Sequence, residues 1–202
     1  EEQGATVDEL QLLLNKKSRL AVQGEIGWSK GISWQVDLNG EQLDPSLFLS
    51  EWSGDITTEI HSQGRKGAET LEAQVQIKEL KGKLRDFPLS GHGKAEVKNT
   101  TLLVDDLRLA LGSGQLQVNG SADPNQHFDL SFAAESKDLA GLLPGAEGNF
   151  QLQGTLKGKA QQPDLNLTVN AEKVKYQEYQ LKRLKGKIKA DLAEQVKAVA
   201  RR

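Results

Sequence analysis

Apolar and polar residues alternate with period two along most of this chain. In the second half Leu107, Leu109 and Leu111, then Leu116 and Val118, Phe128, Leu130 and Phe132, Phe150 and Leu152, and Leu165, Leu167 and Val169 interleave with Arg108, Gln117, Asp129, Gln151, Asn166 and Thr168. The first half does the same at Leu10, Leu12 and Leu14, Leu20 and Val22, Trp34, Val36 and Leu38, Ile56, and Leu71, Val75 and Ile77. Such spacing predicts β-strands with one apolar and one solvated face, because successive side chains of a strand leave on opposite sides. Residues 8–17 have helix-forming composition, yet the matching stretch farther on contains Gly112-Ser113-Gly114, a turn between two alternating runs, so both are read as hairpins. Short helical or turn segments are expected only at residues 44–52, with Pro45 at a helix start, and at 138–143, closed by Pro144-Gly145.

The chain repeats itself at a separation of about 95 residues. Val7-Asp8-Glu9-Leu10-Gln11-Leu12-Leu13-Leu14 matches Val104-Asp105-Asp106-Leu107-Arg108-Leu109-Ala110-Leu111, and Leu20-Ala21-Val22-Gln23-Gly24 matches Leu116-Gln117-Val118-Asn119-Gly120. Trp34, Val36 and Leu38 fall on Phe128, Leu130 and Phe132, and Gly54-Asp55-Ile56 on Gly148-Asn149-Phe150. Leu71 and Val75 fall on Leu165 and Val169, and Leu89, Gly91, Ala95 and Val97 on Leu184, Gly186, Ala190 and Leu192. Two repeat units are therefore expected, over residues 1–98 and 99–192, each of about six strands, followed by a tail, 193–202, of undetermined state. The matched glycines, Gly24 with Gly120, Gly54 with Gly148 and Gly91 with Gly186, suit strand bends and bulges as well as they suit ordinary turns.

Composition narrows the function more by exclusion than by assignment. The 26 Lys and Arg are balanced by 28 Asp and Glu in alternation along the chain, which leaves no general basic footprint for nucleic acid. Cysteine is absent, which removes disulfides, thiol nucleophiles and Cys-ligated zinc, and methionine is absent too. The longest apolar runs, such as Leu12 to Leu14, are three residues, against about 20 for a membrane-spanning helix. The chain opens at Glu1 without a leader of the signal-peptide type, so a processed product or an excised piece of a longer protein is expected. His61, His92 and His127 lie in different segments without metal-ligand spacing, Gly91-His92-Gly93 does not extend to a phosphate cradle, and Asp105-Asp106, side by side in a strand, should point to opposite faces. No nucleophile, base or metal constellation emerges, and neither catalysis nor a cofactor is expected.

The phrases Gly27-Trp28-Ser29-Lys30-Gly31-Ile32-Ser33-Trp34-Gln35 and Ser53-Gly54-Asp55-Ile56-Thr57-Thr58, with Leu109-Ala110-Leu111-Gly112, resemble the central periplasmic segment of the TamB family. Asp138-Leu139-Ala140-Gly141-Leu142-Leu143-Pro144-Gly145, Gly154-Thr155-Leu156-Lys157-Gly158 and Pro163-Asp164-Leu165 resemble that family and its AsmA-like relatives. The resemblance implies an all-β fold, an elongated curled sheet whose concave face is apolar, within a periplasmic protein anchored in the inner membrane and meeting the outer-membrane barrel protein TamA through other parts of its chain. It also implies phospholipid movement between the two membranes, with assembly of outer-membrane β-barrel proteins and autotransporters as the alternative, and it carries no catalytic residues.

A strand with one apolar face must have that face covered by another sheet, a helix or a ligand. From periodicity alone a β-sandwich stands beside the curled sheet. On the curled-sheet reading the alternating apolar residues named above form a lipid-holding groove. The lysines from Lys173 to Lys189 then have two readings. One is a solvated strand face that discourages edge-to-edge pairing; the other is a rim for phospholipid headgroups at Lys185, Lys187 and Lys189.

Overall fold

The computed structural model describes residues 3–29, 31–47, 50, 52–123 and 127–191. It is almost wholly β and divides into two compact units, Glu1–Asn99 and Thr100–Arg202. The first holds β1 (Gly4–Leu13), β2 (Arg19–Gly27), β3 (Ile32–Leu43), β4 (Gly54–Lys66), β5 (Leu71–Leu84) and β6 (Phe87–Lys98). The second holds β7 (Thr101–Leu111), β8 (Gly114–Ala122), β9 (His127–Ser136), β10 (Ala146–Lys159), β11 (Gln162–Tyr176) and β12 (Tyr179–Asp191). Within each unit every strand pairs antiparallel with the next. Among the described residues the first and last strands of a unit do not pair, so each sheet is an open meander.

Local chemistry sets the connections. Arg85 and Asp86, at φ 50° and 66°, form a two-residue turn between β5 and β6, the left-handed pair that suits the twist of a hairpin. Gly112, at φ 55°, and Ser113 form the two-residue turn between β7 and β8, with the glycine taking the left-handed position. Residues 8–17 belong to the β1–β2 hairpin, as their repeat mate indicates. The two expected short helices are single 3₁₀ turns, Pro45–Leu47 and Leu139–Gly141, the second capped by the Asp138 carboxylate, which accepts from the Ala140 N–H at 3.0 Å. Residues 48, 49 and 51 of the first segment, Lys30, Leu192 and the tail 193–202 lie outside the described residues.

The register sorts residues by face. In the first unit one rung runs Leu10, Val22, Leu38, Ile60, Ile77 and Gly93, and the next Val7, Gly24, Val36, Ser62, Val75 and Ala95. In the second, Val104, Gly120, Leu130, Leu156, Leu165 and Ala190 make one rung, and Leu107, Val118, Phe132, Gly154, Leu167 and Ile188 the next. The intervening rungs are polar, so each sheet has one continuous apolar face.

Two sequence expectations are corrected by this register. Val104 and Leu107 lie on the same face three positions apart, because a bulge sets Asp105 and Asp106 against the single residue Asn119. The two aspartates therefore do not simply alternate: Asp106 adopts φ 46°, and its N–H donates to Asn119 Oδ1 at 3.1 Å. The repeat alignment also slips in one strand. Val75 occupies the rung position of Leu165, and Leu80 that of Val169, because the β4–β5 hairpin runs farther beyond this rung, from Ser62 to Val75, than the β10–β11 hairpin does from Leu156 to Leu165; the bulge between Ile77 and Leu80 then adds one residue more.

Among the described residues no second sheet covers the apolar face within either unit. A sandwich of this composition would bury its Leu, Val and Phe side chains, yet the buried apolar residues are Ala146, Ala160 and Ala171, while Leu10, Val75, Leu184 and Ile188 are 47%, 40%, 46% and 51% exposed. The sandwich alternative is thereby set aside in favour of the curled sheet. The apolar rungs include Gly24, Gly40, Gly64, Gly82 and Gly91 in one unit and Gly120, Gly154, Gly158 and Gly186 in the other, so that side carries less side-chain volume to resist bending of the sheet.

Gly120 shows why some of these positions admit no other residue. It sits opposite Val104, beside the Asp105–Asp106 bulge, at φ 123°, and a Cβ there would lie 2.0 Å from the Asp129 carbonyl oxygen. Gly24, its counterpart, has φ 150° and the same conflict with the Gln35 carbonyl at 2.1 Å. Gly120→Ala is expected to lose about 2–3 kcal/mol in denaturant unfolding, and an unchanged midpoint would contradict the assigned backbone.

Candidate functional site

The register gathers the apolar residues named from the sequence onto one face of each unit. In the first unit Leu12 and Leu20 share a rung, as do Leu10, Val22, Leu38 and Ile77, and Val36 and Val75; Trp34 and Ile56 stand on flanking rungs. Leu14 is in the β1–β2 turn, where its N–H donates to the Ser18 carbonyl at 3.0 Å, and Leu71 opens β5 opposite Lys66. In the second unit Leu107, Val118, Phe132 and Leu167 share a rung; so do Leu109, Leu116, Leu152 and Val169, and Leu130 with Leu165, while Leu111, Phe128 and Phe150 complete the face. Val7, Ile26, Leu43, Ile60, Leu80, Leu89, Val104, Leu156, Leu184 and Ile188 belong there too and were missed by sequence reasoning. For Val7, Leu80 and Val104 the reason is a bulge, which replaces the two-residue spacing by three.

Aromatic rings close over glycines on this face. A Cβ on Gly64 would meet the Trp34 ring at 2.5 Å, and one on Gly154 the Phe132 ring at 2.4 Å. Each ring thus lies flat across the neighbouring strand and smooths the surface. The few polar groups are satisfied internally: Trp34 Nε1 donates to Ser62 Oγ at 3.0 Å, and buried Thr58 donates to the Glu79 carbonyl at 3.0 Å. At the β7–β8 turn the face is covered locally by Leu142, whose methyls would stand within 3 Å of a Cβ on Gly114. Ser136, nearly inaccessible, anchors this cover by bonding Ser113 Oγ at 2.9 Å and the Asp138 carbonyl at 3.0 Å.

The opposite face is polar. In the first unit His61 Nδ1 lies 2.8 Å from Asp37, an acidic partner brought by the neighbouring strand and not legible from spacing along the chain. Lys78, on the bulge of β5, pairs with Glu59 at 2.8 Å, and that bond and charge raise the lysine above its ordinary pKa. Lys94 pairs with Glu96 at 2.6 Å and lowers the Glu96 carboxyl. Among the described residues no group of three His, Asp or Glu converges as metal ligands. Lys185, Lys187 and Lys189 stand opposite Asn170, Thr168 and Asn166 on this polar side, while Gly186, Ile188 and Ala190 between them face the apolar side. The lysines therefore flank the apolar face from the far side of the terminal strand and do not line it.

What the geometry offers is an extended apolar surface, repeated twice, which among the described residues is covered by protein only locally, at Leu142. No helix among the described residues is long and apolar enough to cross a membrane.

A family model described as "TamB, N-terminal domain" matches residues 1–200. The chain is also 26% identical over 159 residues to the translocation and assembly module subunit TamB of Haemophilus influenzae, covering 78% of this chain and 12% of that protein. The chain thus spans about an eighth of the relative it matches. No solved structure matches.

Proposed function

Since this chain belongs to the TamB N-terminal domain family, we propose that it is a periplasmic segment of a TamB protein and shelters phospholipid tails on its apolar face as they move between the inner and outer membranes. The observation that supports this is the uncovered apolar face of each unit, with large aliphatic side chains left 36–51% exposed at Leu116, Leu10, Leu184 and Ile188. Contiguous exposed apolar surface of this extent calls for an occupant. An acyl chain supplies one. Each CH₂ withdrawn from water contributes about 0.8 kcal/mol, on the order of 10 kcal/mol for about fifteen carbons before entropy is charged. The smooth wall of Leu, Val and Phe over Gly holds such a chain without a pocket of fixed shape, so displacement along it meets small barriers. The role is binding rather than catalysis, and the barrel protein TamA is met by parts of the parent protein outside this chain.

A second reading, a scaffold that templates strands of outer-membrane proteins, is favoured by β1, whose outer edge meets no strand among the described residues and could accept an added one. Mass spectrometry of a lipid extract from the purified chain separates the two. Phospholipid in near-stoichiometric amount is the expected result. A lipid-free chain that binds unfolded β-strand peptides would replace transport by the scaffold.

A further inference from the structure

The polar face of the second unit differs from that of the first. In the first unit its side chains are tied to one another: Gln63 donates to Gln74 and Gln74 to Glu96, Arg65 pairs with Glu72 and Lys81 with Glu79. In the second unit, from β8 to β11, two adjacent rungs carry uncharged polar groups, Gln117, Gln153 and Thr168 on one and Asn119, Ser131, Thr155 and Asn166 on the other, ending on β12 at Lys187 and Lys189; on β7 the same rungs carry Arg108 and the Asp105–Asp106 bulge, where Arg108 pairs with Asp106 at 2.6 Å. These rungs line an open cavity of about 430 Å³. Asn119 receives the Asp106 N–H. Among the described residues the amides and hydroxyls of Gln117, Ser131, Gln153, Thr155, Asn166 and Thr168, and the two ammonium groups, bond no other protein group. Nearby Asp129 is neutralised by Lys157 at 2.9 Å.

We propose that this face is a binding site for an acidic oligosaccharide, a sugar chain bearing carboxylates. Amide and hydroxyl side chains donate and accept together, which matches the mixed demand of sugar hydroxyls. The cations at one end suit carboxylates through charge-assisted bonds. Five strands about 4.8 Å apart give the face a length of about 19 Å from β8 to β12, room for several sugar rings. Nucleic acid fits less well, because the cavity side of these rungs presents no aromatic ring for bases to stack on; Phe132, though its residue borders the cavity, turns its ring to the apolar side over Gly154.

The test is titration of the full chain with a tetrasaccharide of galacturonic acid, followed by calorimetry and by amide NMR shifts. Binding is expected with shifts confined to β8–β12, about tenfold weaker for a neutral glucose tetrasaccharide and about tenfold weaker again for the uronate when Lys187→Gln and Lys189→Gln are combined. Gln153→Ala with Asn166→Ala, both on exposed or half-buried positions and expected to fold normally, should weaken the uronate similarly. Absence of uronate binding overturns the proposal, as does binding that ignores all four substitutions. Tighter capture of phosphatidylglycerol vesicles than of the uronate by the same residues also overturns it, in favour of a lipid-headgroup surface. Because the face lies opposite the apolar one, none of these substitutions should change co-purified lipid, so the outcome is independent of the lipid reading.

Discussion

Leu130→Arg is expected to leave the second unit folded and to abolish lipid capture on it, with Val36→Arg doing the same in the first. Leu130 lies mid-strand in a rung with Gly120 and Leu156, with Phe128 and Phe132 on the same side of β9. Val36 has Gly24 and Ser62 across and Trp34 and Leu38 beside it. Both are half-buried rather than enclosed, so an introduced guanidinium can lean along the open face to water. The desolvation that would cost several kcal/mol inside a sandwich is then avoided. A lipid tail has no such escape, since contact with the charge forfeits the apolar path it needs. Thermal unfolding with lipid mass spectrometry on each variant reads both halves. An unfolded variant would point to a covered face, and a folded variant with undiminished lipid would remove the face from the lipid path.

Much of this was legible in the sequence because the relevant information is local. Alternation at Leu107, Leu109 and Leu111 needs only the period of a strand, and the hairpin at residues 8–17 followed from its repeat mate at Gly112-Ser113. What escaped depends on pairing. The bulges at Asp105–Asp106 and between Ile77 and Leu80 shift the face of every later residue in their strands, and alternation alone cannot show where two residues oppose one. The mates of Val75 and Leu80, set by how far the β4–β5 hairpin runs, and the acidic partner of His61, which lies on another strand, were hidden for the same want of pairing. Glycines such as Gly24 and Gly120 could be paired by position, but that they stand on the apolar side, and that Gly64 and Gly154 lie beneath Trp34 and Phe132, appears only when the strands are registered.

Those ring-over-glycine pairs yield the second large effect. A Cβ on Gly154 would collide with the Phe132 ring at 2.4 and 2.7 Å and stand at 3.1 Å from the Asn166 carbonyl, a tight approach that a shift of a few tenths of an ångström relieves. Gly154→Ala should therefore destabilise by about 1–3 kcal/mol through overpacking, and Phe132→Leu in the same chain should recover most of the loss. Gly64 differs. Its Cβ would meet the Trp34 ring at 2.5 Å and also the Glu72 carbonyl oxygen at 2.6 Å. Removing the ring leaves the backbone conflict in place, so Trp34→Leu should not rescue Gly64→Ala. Denaturant unfolding of the two double-mutant cycles checks the contrast, and equal rescue in both would contradict the packing described.

The central claim, that each apolar face holds lipid, is tested most directly by photocrosslinking in cells expressing the parent protein. A benzophenone amino acid is placed singly at Val36, Leu130 and Ile188 on the apolar side and at Gln35, Gln153 and Lys187 on the polar side. The account predicts phospholipid adducts at the first three positions and none at the last three. Adducts distributed equally over the two faces, or absent from the apolar one, would contradict it.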